Sequence, residues 1–157
     1  MLAPQTRYSL ARPGVVALAL VALSLTSCSK VPLVGGKPAV VVQLSATAKA
    51  NSCGQDAGNS MTFRVLQVTD ASKITGASLT QLWDHEDKLL GTAFLKKDDG
   101  VIDPGKKQEF HFERDPKAKS IVLVGSFCKP QGTCWYYVSK GSKLKLTVDE
   151  YCLRASK

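Results

Sequence analysis

Histidine is scarce in this sequence. His85 and His111 are the only two, and they stand far apart. No Cys-x-x-Cys pair accompanies them, so the usual zinc-ligand spacing is lacking and no metal or other cofactor is expected. The acids Asp84, Glu86, Asp87, Asp98 and Asp99 do not follow the Asp-x-Asp-x-Asp-Gly order of a calcium loop and read as loop charges. Gly35-Gly36 does not lie between a strand and a helix, so there is no phosphate cradle. No internal period suggests a repeat array. The one long apolar run, Val15 to Leu25, has eleven residues, too few for an ordinary membrane span. His85, between Asp84 and Glu86, reads as an exposed turn residue, and His111 as a solvent-side strand residue. No catalytic constellation is present, and the chain is read as a non-enzyme.

The N-terminus carries the first positive signal. Residues 1–14 hold Arg7 and Arg12 and no acid, and the apolar run follows. That is the charge and hydropathy order of an export signal. The run ends in Leu25-Thr26-Ser27-Cys28, which resembles the lipobox of bacterial lipoproteins. The resemblance implies cleavage before Cys28 and acylation of that residue, and Ser29 after it implies sorting to the outer membrane. Several acyl chains hold a protein firmly where one holds it only marginally. Residues 1–27 are therefore expected to be a signal peptide, 28–39 a lipidated Cys and flexible tether, and 40–157 one β-sandwich domain. The tether holds two Pro and two Gly. Its eleven residues after Cys28 reach at most about 36 Å.

The whole chain of 157 residues has a formal charge of +8. The part from Cys28 onward has 19 basic and 13 acidic residues, hence +6. Such a balance is a common footprint of nucleic-acid binding. Export argues against that partner, and the lysines are scattered in the manner of solvated strand faces and turns. A chain of this length buries about two-thirds of its unfolded surface.

Removing Cys28 by lipidation leaves Cys53, Cys128, Cys134 and Cys152, an even number in an oxidising compartment. Four cysteines allow three pairings. The favoured one clamps Cys128 to Cys134 across Lys129-Pro130-Gln131-Gly132-Thr133 and leaves Cys53 to join Cys152.

Most of the domain reads as short strands. Val40 to Ala48 is β-branched and then alternating, and Met61 to Val68 alternates again. Phe110 and Phe112 share a face opposite Glu109, His111 and Glu113. Ile121 to Phe127 is a continuous apolar run, as in a sandwich-core strand. Trp135 to Val138 and Leu144 to Val148 flank Ser139-Lys140-Gly141-Ser142, which predicts a hairpin. Asp103-Pro104-Gly105 predicts a turn, since Pro presets φ and Gly supplies φ > 0. Leu79, Leu82 and Trp83 fall on one face of a short helix that Ser78 can cap. The expectation is an all-β, two-sheet sandwich with one short inserted helix and no parallel sheet, because the crossovers look too short.

The order of these segments resembles the TssJ (SciN/VasD) lipoproteins of the type VI secretion system. A lipobox is followed by Val42-Gln43-Leu44-Ser45-Ala46 leading to Asn51, and then by Val65-Leu66-Gln67-Val68. Leu82-Trp83-Asp84, Leu90-Gly91, Pro104-Gly105, a Val-rich strand from Val122 to Phe127, and Trp135 come next. Leu66 replaces the family's usual Tyr, and the four extra Cys are atypical. The resemblance implies a transthyretin-like sandwich with an added helix, anchored in the outer membrane on its periplasmic face. It implies a non-enzymatic role: binding the periplasmic C-terminal domain of TssM, with TssL completing the complex. The implied contact is the loop between the first two strands, with Asn51, Ser52, Gly54, Gln55, Asp56 and Asn59 as candidate partner-binding residues and Cys53 as a staple. The alternative is a periplasm-facing lipoprotein that binds or inhibits another protein or ligand through a β-sandwich.

Overall fold

A computed structural model describes residues 38–156. The expected signal peptide 1–27, Cys28 and the tether as far as residue 37 lie outside the described residues. Eight strands form two four-stranded sheets: β1 (Ala39–Ala46), β2 (Met61–Val68), β3 (Phe94–Ile102), β4 (Lys107–Glu113), β5 (Ser120–Gly125), β6 (Tyr136–Ser139), β7 (Lys143–Val148) and β8 (Leu153–Ala155). One sheet has the order β4-β1-β7-β8 and the other β3-β2-β5-β6. The all-β sandwich expected from the sequence is the fold observed.

Alternation builds the first sheet. Val40, Val42, Leu44 and Ala46 of β1 are buried, as are Leu144, Leu146 and Val148 of β7, and the residues between them face solvent or its margin. The second sheet is covered on both faces, which explains the unbroken burial of β5. Phe63 of β2 meets Phe110 of the facing sheet edge-to-face at 4.8 Å. Arg64, on the other side of β2, reaches Trp83 of the helical segment. Ile74, Leu82 and Leu90 of that segment are fully or almost fully buried.

The helical segment joins β2 to its neighbour β3. It contains a 3₁₀ turn (Ser72–Ile74), α1 (Leu79–Asp84), α2 (Glu86–Leu90) and a second 3₁₀ turn (Gly91–Ala93). Ser78 caps α1 in a capping box: its hydroxyl accepts from Gln81 N, and the Gln81 side chain accepts from Ser78 N. The sequence pattern predicted α1 but missed α2, which has only five residues. His85 is the hinge between the helices. Asp84, Glu86 and Asp87 are therefore helical, and Asp98 and Asp99 lie in β3, where all were expected in loops.

A mixed ionic cluster fastens this segment to the sheet. The Arg64 guanidinium donates twice to Asp99, at 2.7 and 3.1 Å, and once to the Trp83 carbonyl. It also packs 4.6 Å from the centroid of the Trp83 ring and 3.6 Å from Glu86. Glu86 is 3% exposed and binds Lys97 as well. Hydrogen bonding to Asp99 is the main reason the Arg64 pKa is raised further, outweighing the opposing effect of burial. Charge pairs also explain β3, which reads poorly as a strand. It is an edge strand, and its charges both meet the cluster and discourage edge-to-edge pairing.

Two further expectations are corrected. β6 and β7 do not form a hairpin, because residues 140–142 carry the chain from one sheet to the other. The local pattern is that of a hairpin, but the buried Leu144, Leu146 and Val148 are satisfied only beside β1. That pairing is parallel, with Val42 opposite Leu144 and Leu44 opposite Leu146. Nearly the whole domain separates the two strands, so the short-crossover argument against parallel pairing does not apply to them. The Asp103-Pro104-Gly105 turn forms as expected, with Gly105 at φ 72° and Lys106 N bonded to Asp103 O.

Removing Arg64 leaves the buried Glu86 short of a partner. Arg64→Ala is expected to destabilise the domain by about 3 kcal/mol. Lys96→Ala, at a more exposed pair, should cost less than about 1 kcal/mol. Urea unfolding of the two variants checks the contrast.

Candidate binding surface

Four connections meet at the pole of the sandwich where β1 ends: 47–60, 103–106, 126–135 and 149–152. The first contains all six candidate binding residues. It opens with a turn in which Ala50 N bonds to Thr47 O. Asn51 and Cys53 then adopt left-handed φ values of 51° and 59°. Asn tolerates that region better than most residues.

Asn51 ties three of the connections together. Its Nδ2 donates to Ser60 O at 3.1 Å, and its Oδ1 accepts from Cys128 N at 2.9 Å. Its backbone N–H donates to Asp149 O, and its carbonyl accepts from Asn59 Nδ2 at 3.1 Å. Ser52 donates to Glu150 at 2.7 Å and accepts from Gly54 N at 3.2 Å. This hydroxyl is the leading reason that the Glu150 carboxyl titrates below the ordinary range. The tie is therefore complete above that range and is lost only as pH falls through the depressed folded value. Gly58 packs so closely that a Cβ there would lie 2.6 Å from Ala48 O and 2.7 Å from Ala50 O.

Two disulfides close the same pole. Cys53 bonds to Cys128 and Cys134 to Cys152, with Cα–Cα distances of 5.1 Å in both. All four cysteines are paired, but not in the expected scheme. The short loop between Cys128 and Cys134 crosses the pole between two neighbours, so each cysteine faces a different one. Cys128 N meets Asn51, and Cys134 O accepts from Leu153 N. Sequence spacing pointed to a local clamp because it carries no information about which connections lie side by side.

The structure divides the candidate residues in two. Asn51 is 4% exposed and Ser52 is fully buried, and both spend their polar atoms inside the loops. Gly54, Gln55, Asp56 and Asn59 are exposed. Exposed Lys129, Pro130, Gln131, Gly132 and Thr133 lie beside them, and Lys129 Nζ occupies the space over Gly54 that a side chain would fill. Loop 129–133 was not among the six candidate residues, and the Cys53–Cys128 pairing places it beside them. His85 and His111 lie apart from this pole. His111 sits 2.7 Å from Glu109 on the outer face of the first sheet. Among the described residues no group of three His, Cys, Asp or Glu is placed to hold a metal ion. No described helix is long and apolar enough to cross a membrane.

The pole is thus cross-braced by two disulfides, with polar side chains left outward. A family model for type VI secretion lipoproteins (VasD, EvfM, TssJ, VC_A0113) matches residues 38–150, and the chain belongs to that family. Comparison with curated proteins returns no match. Among solved structures, Serratia marcescens Lip, a membrane-bound component of the type VI secretion system, is 14% identical. The match covers 76% of this chain and 97% of that one, with a TM-score of 0.68. The lipoprotein TssJ1 of Pseudomonas aeruginosa is 18% identical over 78% of this chain and 98% of that one, with a TM-score of 0.64. A chain in a structure described as the TssM C-terminal domain (869-1107) from EAEC is 16% identical. Coverage is 76% of this chain and 98% of that one, with a TM-score of 0.66. At these identities the similarity concerns the fold.

Each bridge should contribute through the chain it closes. The chain-entropy relation gives about 4 kcal/mol for the 75-residue separation of Cys53 and Cys128 and about 3 kcal/mol for the 18-residue separation of Cys134 and Cys152. Mass spectrometry of unreduced digests should recover a 53–128 peptide pair and a 134–152 pair, with no 128–134 link. Replacing both partners of a bridge by Ser should lower unfolding free energy by roughly those amounts.

Proposed function

We propose that this protein is acylated at Cys28, sits on the periplasmic face of the outer membrane and acts without catalysis. It binds the periplasmic C-terminal domain of TssM, with TssL completing the trans-envelope complex. Membership of a type VI secretion lipoprotein family supports the setting. Similarity to a chain in the structure described as the TssM C-terminal domain supports the partner.

The observation that carries the reading is the braced pole. Gln55 and Asp56 stand outward on a loop whose backbone is bonded to two neighbouring connections and stapled through Cys53. A loop ordered before binding loses little entropy on binding. Gly54, Gln55, Asp56 and Asn59 form the contact, and Asn51 and Ser52 hold it in shape.

The test uses the chain from Ser29 to Lys157 and the TssM periplasmic domain of the same organism. The double variant Gln55→Ala, Asp56→Ala should weaken binding at least about tenfold, or 1.4 kcal/mol. Its urea midpoint should be unchanged, because neither side chain supports the fold. Full affinity in the variant would move the contact elsewhere, and no binding by the folded parent would overturn the partner. In cells, Cys28→Ala should shift the protein from the membrane to the soluble fraction. Continued sedimentation with outer membranes would contradict the anchor.

A further inference from the structure

The pole opposite the braced loops is basic, and the chain enters the domain there. β1 begins at Ala39, which pairs with Glu113 at the end of β4. Val41 N bonds to Ser142 O, Arg114 N to Pro38 O and Lys119 N to Val68 O. These contacts gather three connections around the entry point: the start of 69–93, then 114–119 and 140–142. Lys73, Arg114, Lys117, Lys119, Lys140 and Lys143 lie on or beside them, against the carboxylates of Asp70, Glu113 and Asp115. Asp70 and Asp115 are occupied locally. Asp70 accepts from both Ser72 N and Ser72 Oγ at 2.9 Å, and Asp115 accepts from Lys117 N at 2.8 Å. The loops of the far pole, 47–60, 103–106, 126–135 and 149–152, are nearly balanced, with three cations and four carboxylates.

A shallow depression of about 620 Å³ opens within the basic pole between Thr69–Ser72, Lys119, Val138 and Lys140. Val138 is 38% exposed, one of two large apolar side chains that are exposed among the described residues. An apolar side chain set among lysines suits a headgroup boundary better than open water.

We propose that this pole rests on anionic phospholipid headgroups as a second membrane attachment beside the acyl anchor. The proposal builds on acylation at Cys28. Ten residues separate Cys28 from Ala39, so the pole lies within about 36 Å of the bilayer whatever path they take. Anionic surfaces attract juxtamembrane lysines over about one Debye length, roughly 8 Å at physiological salt. Seating the entry pole on the lipid points the loops of the far pole away from the membrane. β1 alone, with eight residues, separates the two poles by about 26 Å.

The test uses the mature acylated chain reconstituted on vesicles of phosphatidylcholine, with or without phosphatidylglycerol. Flotation reports the anchor, and lysine acetylation read by mass spectrometry reports the buried face. Lys117, Lys119, Lys140 and Lys143 should label at least about threefold more slowly on the anionic vesicles, and high salt should restore them. Lys106 and Lys129 should label equally on both. The variant Lys117→Gln, Lys119→Gln, Lys140→Gln should float equally well and lose the protection of Lys143. Equal labelling of the parent on both vesicles would overturn the lipid face and leave the anchor standing. A chain that does not float would overturn both.

Discussion

Asn51, through its side chain and its backbone together, is the tie on which the loop pole depends. Of the four connections at this pole, 47–60 and 103–106 cross from one sheet to the other, whereas 126–135 and 149–152 join paired antiparallel neighbours. The long crossing loop 47–60 has no hairpin to order it and is held by its neighbours. Asn51 bonds Ser60 and Asn59 within its own loop, Cys128 in the second and Asp149 in the third. It does so from a left-handed backbone that few other residues adopt cheaply. The two disulfides follow from this geometry, because they link connections that the hydrogen bonds already hold side by side.

That arrangement separates support from display. Buried Asn51 and Ser52 shape the loop, whereas Gln55 and Asp56 have no structural task and are free to meet a partner. The second sheet shows the same division at larger scale. Its inner face makes the core with the first sheet. Its outer face is closed by a helical segment held by Arg64, Glu86, Asp99 and the Trp83 carbonyl. One face of the first sheet and both poles remain open. Of the poles, one is braced and nearly neutral, and the other is basic and receives the chain from its N-terminal side.

Much of this was legible in the sequence. The alternation in β1, β2, β4 and β7 and the apolar run of β5 are direct consequences of which faces are covered. Ser78 with Leu79, Leu82 and Trp83 announced α1. The order of segments announced the family. Three features were hidden because they depend on what lies beside what in space. β3 is written in Lys, Asp and Gly; it is a strand through its antiparallel pairing with β2, and Arg64 and Glu86 receive the charges of Asp99 and Lys97. β7 carries a hairpin signature but pairs in parallel with β1. The cysteines pair across loops, whereas sequence spacing favoured the nearest neighbours. The loop between β1 and β2 was legible as polar and glycine-rich, but the burial of Asn51 and Ser52 could not be read from that string.

Amide hydrogen exchange on the Asn51→Ala variant is the most direct test of the central claim. The account predicts that protection falls together in 48–60 and 126–134, the two connections that this side chain joins, while β2 and β5 keep theirs. Loss confined to 48–60, with 126–134 unchanged, would contradict the view that this side chain ties the two connections together.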